Sequence, residues 1–125
     1  MKPKRILIVD DDDGIREVIS ICLEAIAEWE TISASSGEQG LVLAQEQQPD
    51  AILLDVMMPH LDGIATFAQL QAHQDTKDIP TIFLTAKAKI SEQQRYQHLG
   101  VTGVIVKPFE PHELIATIKT LLQWQ

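Results

Sequence analysis

Aspartates follow two separate apolar runs of this sequence, and their number and position suggest a metal site. Asp10, Asp11, Asp12 and Asp13 stand directly after the first run, and Asp55 follows a later one. Carboxylates held close together raise one another's pKa unless a cation offsets the repulsion. Hard divalent ions prefer ligand sets made only of oxygen, so we expect Mg²⁺, or Mn²⁺ in its place.

Not all of these acids can bind the ion, because Mg²⁺ usually takes one or two carboxylates and fills its other positions with water or phosphate oxygens. Asp12 or Asp13 is interpreted as the cap of the helix that follows, and neither is expected to bind the ion, since a helix N-terminus favours negative charge. Asp10, Asp11 and Asp55 remain as the candidates for the metal site.

Two further residues suggest that the site handles phosphoryl groups. A carboxylate beside Mg²⁺ can attack phosphorus and form an acyl phosphate, and we assign this acceptor role to Asp55. Lys107 would supply a positive charge, and Thr85 a hydroxyl donor, for the phosphoryl oxygens. Either residue alone is weak evidence, so the prediction depends on their joint placement.

Five short apolar runs alternate with longer segments of helical period, which is typical of an α/β protein with a parallel sheet buried on both faces. The predicted strands are residues 5–9, 31–34, 51–54, 81–84 and 103–106. Right-handed crossovers bring the carboxyl ends of all five strands to one edge of the sheet, where such folds bind ligands. The candidate site residues should therefore meet at this edge.

Helices are predicted between the strands and after the last one. Ser35 and Glu38 have the spacing of a capping box that opens the second helix, and Pro49 follows its end. The third helix is expected to begin near Gly63, the fourth near Ser91, and the fifth at Glu110 and Pro111. The first helix is expected to present one apolar stripe to the core, namely Ile15, Val18, Ile19, Cys22, Leu23 and Ile26.

The bulk properties narrow the range of functions. A chain of 125 residues is predicted to form one domain over residues 1–125. Its formal charge of −8 argues against direct binding of nucleic acid, which needs clusters of lysine and arginine. The longest apolar runs are too short to insert into a membrane, and the single Cys22 cannot form an internal disulfide. We expect a cytoplasmic protein whose partners are other proteins.

Four motifs, taken together and in order, resemble the receiver domain of bacterial two-component response regulators. They are ILIVDDD at residues 6–12, LDVMMP at 54–59 with Asp62 and Gly63 after it, LTA at 84–86, and VKPF at 106–109. The resemblance runs over essentially the whole chain. It implies a flavodoxin-like, doubly wound sheet of five parallel strands in the order 2-1-3-4-5 with five helices.

The resemblance also implies a role for each site residue. Asp55 would accept a phosphoryl group from a sensor histidine kinase or a histidine phosphotransfer protein, and Thr85 and Lys107 would contact that group. Asp10 and Asp11 would form the acidic pair, and the carbonyl oxygen of Met57 would join the metal ligands. A cis peptide bond is implied before Pro108. The domain would promote only its own phosphorylation and dephosphorylation and would not be an enzyme in the usual sense.

Signal output is expected to use the face formed by the fourth helix, the fifth strand and the fifth helix, with Lys87, Lys89, Val104, Glu110 and His112 as candidates. Val104 stands where many receivers carry an aromatic switch residue, so an aromatic switch is not expected. Met57 and Lys87 occupy positions that influence the rate of dephosphorylation in the family. Because the sequence stops soon after the fifth helix, a stand-alone receiver is expected. Kinase recognition is expected to use exposed residues of the first helix, namely Gly14, Arg16, Glu17 and Ser20.

Other interpretations are possible. Asp10 and Asp12 also fit the aspartate pair of a haloacid-dehalogenase-type phosphatase, which would make Asp10 the nucleophile but would leave Asp55 unexplained. A flavodoxin-like nucleotide binder would need backbone donors and hydroxyl groups where this chain has aspartates that repel phosphate. A receiver that never accepts phosphate would act only as an interaction module, but none of the expected site residues is missing.

Overall fold

A computed structural model describes residues 2–58, 61–86 and 89–125, which form a parallel sheet with helices on both faces. The strands are β1 (Arg5–Val9), β2 (Glu30–Ala34), β3 (Ala51–Asp55), β4 (Thr81–Thr85) and β5 (Gly103–Val106). The helices are α1 (Asp13–Ile26), α2 (Gly37–Gln47), α3 (Gly63–Ala72), α4 (Ile90–His98) and α5 (Pro111–Leu122). The strand order is β2-β1-β3-β4-β5 and every pairing is parallel, so the predicted fold is confirmed.

The side chains of the central strands alternate between two separate hydrophobic cores. Leu7, Ile52 and Phe83 point to the core beneath α2, α3 and α4. Ile6 and Ile82 point to the core beneath α1 and α5. Burial on both faces explains why the central strands are continuous apolar runs rather than alternating ones.

Two strands extend one residue further at their carboxyl ends than predicted, and both of these extensions lie at the site. Asp55 pairs with Leu84 in the ladder between β3 and β4, and Thr85 pairs with Val106 in the ladder between β4 and β5. The prediction ended both strands early because the residues are polar. Their backbones nevertheless continue the ladder, so both residues are held as rigidly as the strands themselves.

The start of α2 was also predicted one residue too early. Ser36, not Ser35, is the N-cap, and its hydroxyl accepts a hydrogen bond from the backbone N–H of Gln39. The Gln39 side chain accepts a hydrogen bond from the N–H of Ser35 in return. The capping interaction thus uses Gln39 instead of Glu38.

The fourth helix begins next to its predicted start, at Ile90, and Lys89 before it makes no side-chain capping bond. The other caps agree with the sequence. Asp12 accepts from the N–H of Ile15 at the start of α1, and Glu110 accepts from the N–H of Glu113 beside Pro111.

The apolar stripe of α1 is narrower than predicted. Ile19 and Leu23 are fully buried, but Val18 is 53% exposed and Ile26 is 42% exposed. Ile26 is the last residue of the helix. Val18 instead lines a surface cavity together with Ile15 and Phe109.

Phe83 provides a direct test of the packing between β4 and the helices on that side. Its ring makes edge-to-face contacts with Phe67 and Tyr96, with centroid separations of 5.5 and 5.4 Å. We expect Phe83→Ala to lower the free energy of unfolding by about 3–5 kcal/mol in urea denaturation, since it leaves a cavity and removes both ring contacts. Ile90→Ala, at a side chain that is 72% exposed, should change it by less than about 0.5 kcal/mol. Similar losses for the two variants would contradict this packing.

Candidate functional site

The carboxyl ends of β1 and β3 bring three of the predicted site residues together. These strands are neighbours in the sheet; β3 ends at Asp55, and Asp10 directly follows Val9, the last residue of β1. Asp10 is 1% exposed and Asp55 is 4% exposed, whereas Asp11 is exposed to solvent. One carboxylate oxygen from each of the three residues lies within 4.8 Å of the other two. The sequence prediction therefore placed these acids correctly at one edge.

Asp10 is held on both carboxylate oxygens. Its Oδ1 accepts a hydrogen bond of 2.9 Å from the backbone N–H of Asp12, and its Oδ2 accepts one of 3.0 Å from the ammonium group of Lys107. A side chain with two such partners has little freedom to rotate. The Asp10 carboxylate is therefore held in one orientation at the site.

Asp55 shares the same lysine. Its Oδ1 lies 3.3 Å from the Nζ of Lys107 and also accepts a hydrogen bond of 3.3 Å from the N–H of Met57. Gly63 packs directly against the backbone of Asp55, which is possible because glycine has no side chain. A β-carbon at Gly63 would lie only 2.3 Å from the carbonyl oxygen of Asp55. The glycine thus lets α3 begin directly against the end of β3, a role that the sequence indicated only as a helix start.

Electrostatics at Asp55 favour a cation. Burial, followed by repulsion from the Asp10 carboxylate, raises the pKa of Asp55 from 3.8 to about 6, although Lys107 and the N–H of Met57 act in the opposite direction. Burial alone would lower the pKa of Lys107, but its hydrogen bond to Asp10 and the charges of Asp55 and Asp10 raise it overall. Lys107 is therefore a permanent positive charge between two carboxylates.

The remaining predicted residues lie around this centre. Thr85 is buried at the end of β4, and its carbonyl oxygen accepts a hydrogen bond of 2.8 Å from the N–H of Lys107. Met57 is 60% exposed beside Asp55, and the peptide bond between Lys107 and Pro108 is cis, as expected. Val104 is half-buried in β5. Lys87, predicted to influence dephosphorylation and output, lies outside the described residues, as does Pro59 of the second motif.

Arg16 departs from the sequence prediction, which placed it on the exposed face of the first helix. Its side chain is only 16% exposed and folds back over the loop between β1 and α1. The guanidinium donates a hydrogen bond of 2.6 Å to the carbonyl oxygen of Asp10 and forms an ion pair with Asp13. The long, flexible stem makes this contact possible, and helical periodicity alone cannot reveal it. Ser20 is also half-buried, whereas Gly14 and Glu17 are exposed as predicted.

The donor set fits a hard divalent cation. All three converging groups offer oxygen, none is a thiolate or imidazole, and the nearby Lys107 offsets only one negative charge. Asp12 and Asp13 stay out of this group, as the sequence suggested, because Asp12 caps α1 and Asp13 pairs with Arg16. The residues present therefore match the metal that the sequence predicted.

Known proteins resemble this chain in both sequence and fold. A family model described as the response regulator receiver domain matches residues 6–119. The phosphate regulon transcriptional regulatory protein PhoB of Pseudomonas aeruginosa is 40% identical over 123 residues, which are 98% of this chain and 53% of that protein.

Two solved structures show the same fold. The chemotaxis response regulator CheY4 of Vibrio cholerae superposes with a TM-score of 0.89 at 31% identity, over 96% of this chain and 99% of the other. The receiver domain of the sensor histidine kinase PA1611 of Pseudomonas aeruginosa was solved with a magnesium ion coordinated in its active-site cleft. It has a TM-score of 0.85 at 27% identity, over 97% and 98% of the two chains.

This chain belongs to the family of response regulator receiver domains, the signalling phosphoacceptors of two-component systems. The resemblance seen in its motifs is confirmed, and the match gives no support to a phosphatase of the haloacid dehalogenase type or to a nucleotide binder. The chain spans about half the length of the curated relatives it matches. The helices in the described part of the chain are too short or too polar to span a lipid bilayer.

The raised pKa of Asp55 leads to a prediction about stability in the absence of metal. Between the unfolded value of 3.8 and the folded value of about 6, the folded protein binds a proton more tightly than the unfolded chain, so stability falls as pH rises through this range. In EDTA at pH 7, we expect Asp55→Asn to raise the free energy of unfolding by about 2–3 kcal/mol.

The gain should shrink as pH falls towards 4, where the wild-type carboxyl is also neutral. Urea unfolding at several pH values measures it, with the exposed Asp78→Asn as a control that should show little change. An Asp55→Asn variant no more stable than wild type at pH 7 would contradict the raised pKa.

Proposed function

We propose that this receiver accepts a phosphoryl group on Asp55 from the phosphohistidine of a sensor histidine kinase or a histidine phosphotransfer protein. In the same proposal, Asp10, Asp11, Asp55 and the carbonyl oxygen of Met57 form the Mg²⁺ site, and Thr85 and Lys107 contact the phosphoryl oxygens. The observation that carries it is the convergence of three acidic side chains within 4.8 Å, with Lys107 bridging two of them.

The transfer needs little beyond alignment and charge balance. A carboxylate oxygen of Asp55 forms a bond to phosphorus as the P–N bond to histidine breaks, and the electron pair of that bond goes to the imidazole nitrogen. A bound Mg²⁺ would neutralise charge on the phosphoryl oxygens. The N–H of Met57 and the backbone ladder hold Asp55 in place, while Lys107 lies 3.3 Å from the attacking carboxylate and can donate to a phosphoryl oxygen.

The proposal makes the domain a signalling phosphoacceptor rather than an enzyme that turns over an external substrate. It treats residues 1–125 as one receiver domain, since the family match runs through residues 6–119. It places the domain in the cytoplasm because its proposed donors are the kinases of two-component systems. Mn²⁺ is expected to replace Mg²⁺, since both are hard ions with a preference for oxygen.

A cavity beside the site suits the phosphodonor. It has a volume of about 480 Å³ and lies between α1 and the segment that follows β5, lined by apolar groups of Ile15, Val18, Pro108 and Phe109 and bounded by Asp12 and Lys107. A partner helix that fills this cavity would bring a phosphohistidine to the edge of the site. We therefore propose it as the docking surface for the kinase or phosphotransfer protein.

The output face is proposed to be α4, β5 and α5. Lys107 joins the site to this face because it directly follows β5, and Val104 lies half-buried on the same strand. Ile90 is 72% exposed at the start of α4, and Glu110 and His112 are hydrogen-bonded to each other at the start of α5. A shift of Lys107 towards a phosphoryl group would be transmitted along β5, so a downstream protein would bind this face when Asp55 is phosphorylated.

The acceptor role is tested by intact mass after incubation with acetyl phosphate. We expect a gain of one phosphoryl group in Mg²⁺, no gain in EDTA, and no gain in Asp55→Asn. Lys107→Met should slow the gain, because it removes the charge nearest the attacking carboxylate. Asp12→Asn is the matched control, since Asp12 caps α1 and should leave the gain intact. Equal labelling of wild type and Asp55→Asn, or a gain that survives EDTA, would refute the proposal.

The docking surface is tested by comparing two phosphodonors. We expect Val18→Asp to reduce phosphoryl transfer from phosphorylated histidine kinases and phosphotransfer proteins of the organism that encodes the chain by about tenfold or more. Transfer from acetyl phosphate should be unchanged, because that small donor needs no docking surface. Val42→Asp, at an apolar side chain that is 52% exposed on α2, is the control. Normal transfer to Val18→Asp from a donor that phosphorylates wild type would exclude this surface.

A further inference from the structure

Arg16 makes an unusual contact for a helical surface residue. From the first turn of α1, its side chain reaches back six residues and donates to the carbonyl oxygen of Asp10 at 2.6 Å, while its second terminal nitrogen pairs with Asp13. The side chain is 16% exposed, although Asp13 itself is 89% exposed. The guanidinium therefore lies against the acidic loop instead of extending into solvent.

The carbonyl group that Arg16 holds belongs to the peptide unit joining Asp10 to Asp11. The Asp10 side chain is fixed separately by Lys107 and by the N–H of Asp12. Asp11 is exposed, so the direction of its carboxylate depends strongly on the orientation of that peptide unit. Rotation of the unit would turn Asp11 away from Asp10 and Asp55, and the contact with Arg16 opposes this rotation.

We propose that Arg16 is a positioning residue for the metal site, because it fixes the Asp10–Asp11 peptide unit so that the three acidic groups converge. The inference rests on the proposed function and adds to it a residue that touches neither phosphorus nor metal. It replaces the sequence prediction that Arg16 is an exposed recognition residue.

The direction in which the Mg²⁺ affinity changes when Arg16 loses its charge distinguishes a positioning role from simple charge repulsion. A guanidinium near a cation site repels Mg²⁺, so removing a charge that did nothing else would tighten Mg²⁺ binding. If Arg16 positions the loop, the same change weakens binding, because the ligands no longer converge before the ion arrives. Loss of a residue that orients metal ligands typically weakens metal affinity by about 10-fold to 100-fold.

The test is calorimetric titration with Mg²⁺ on wild type, Arg16→Met, Arg16→Lys and Arg95→Met. Arg16→Met keeps much of the apolar stem but loses the charge and the donors, and we expect about tenfold weaker binding and a smaller rise in Tm on adding Mg²⁺. Arg16→Lys keeps the charge and one donor group, so its affinity for Mg²⁺ should lie between those of wild type and Arg16→Met. Arg95 pairs with Glu92 at the same helical spacing on α4 but is 64% exposed, and Arg95→Met should bind like wild type.

Each result has a definite meaning. Unchanged or tighter Mg²⁺ binding by a folded Arg16→Met, with wild type binding normally, would overturn the positioning role and leave the proposed function intact. If Arg16→Met is unfolded in urea-free buffer, Arg16→Lys decides the question, because affinity equal to wild type would then count against the role. A wild-type protein that binds no Mg²⁺ and accepts no phosphoryl group would overturn the proposed function and this inference together.

Discussion

The ammonium group of Lys107, shared between the carboxylates of Asp10 and Asp55, is the interaction on which the rest of the site depends. Both acids are almost fully buried, and buried charges without a partner would strongly destabilise the fold. The lysine follows β5, whereas Asp10 follows β1 and Asp55 ends β3, so the ion pairs form only if β1, β3, β4 and β5 keep their order and register. Formation of the site therefore depends on correct strand pairing, since an error in strand pairing would also separate these charges.

Much of this arrangement could be predicted from sequence because it follows from period and chain order. Alternating apolar runs and helical segments predict parallel strands, and parallel strands place their carboxyl ends together. The strand ends were less predictable. Asp55 and Thr85 are polar, so the pattern treats them as loop residues, but their backbones remain in the ladder with Leu84 and Val106. A polar side chain does not end a strand, because strand pairing depends on the hydrogen bonds of the backbone.

Contacts made by long or missing side chains could not be predicted. The helical pattern places Arg16 on a surface, but only the structure shows its stem turning back to the carbonyl of Asp10. Gly63 was seen as a helix start, yet its importance lies in the close approach of α3 to the Asp55 carbonyl, which any side chain would block. Val18 fits the apolar stripe of α1 and still lies exposed, because the helices leave a cavity there instead of closing over it.

The balance of charge supports the proposal that this edge binds a cation and then a phosphoryl group. One ammonium faces two buried carboxylates, and Asp11 adds a third negative charge from the solvent side. Lys107 does not compensate fully, since the pKa of Asp55 stays raised to about 6 despite it. A divalent ion would remove the excess and keep Asp55 ionised and nucleophilic. Under the proposed function, Lys107 would then be less tightly held by the acids and its ammonium could reach a phosphoryl oxygen, so metal binding would prepare the lysine as well as Asp55.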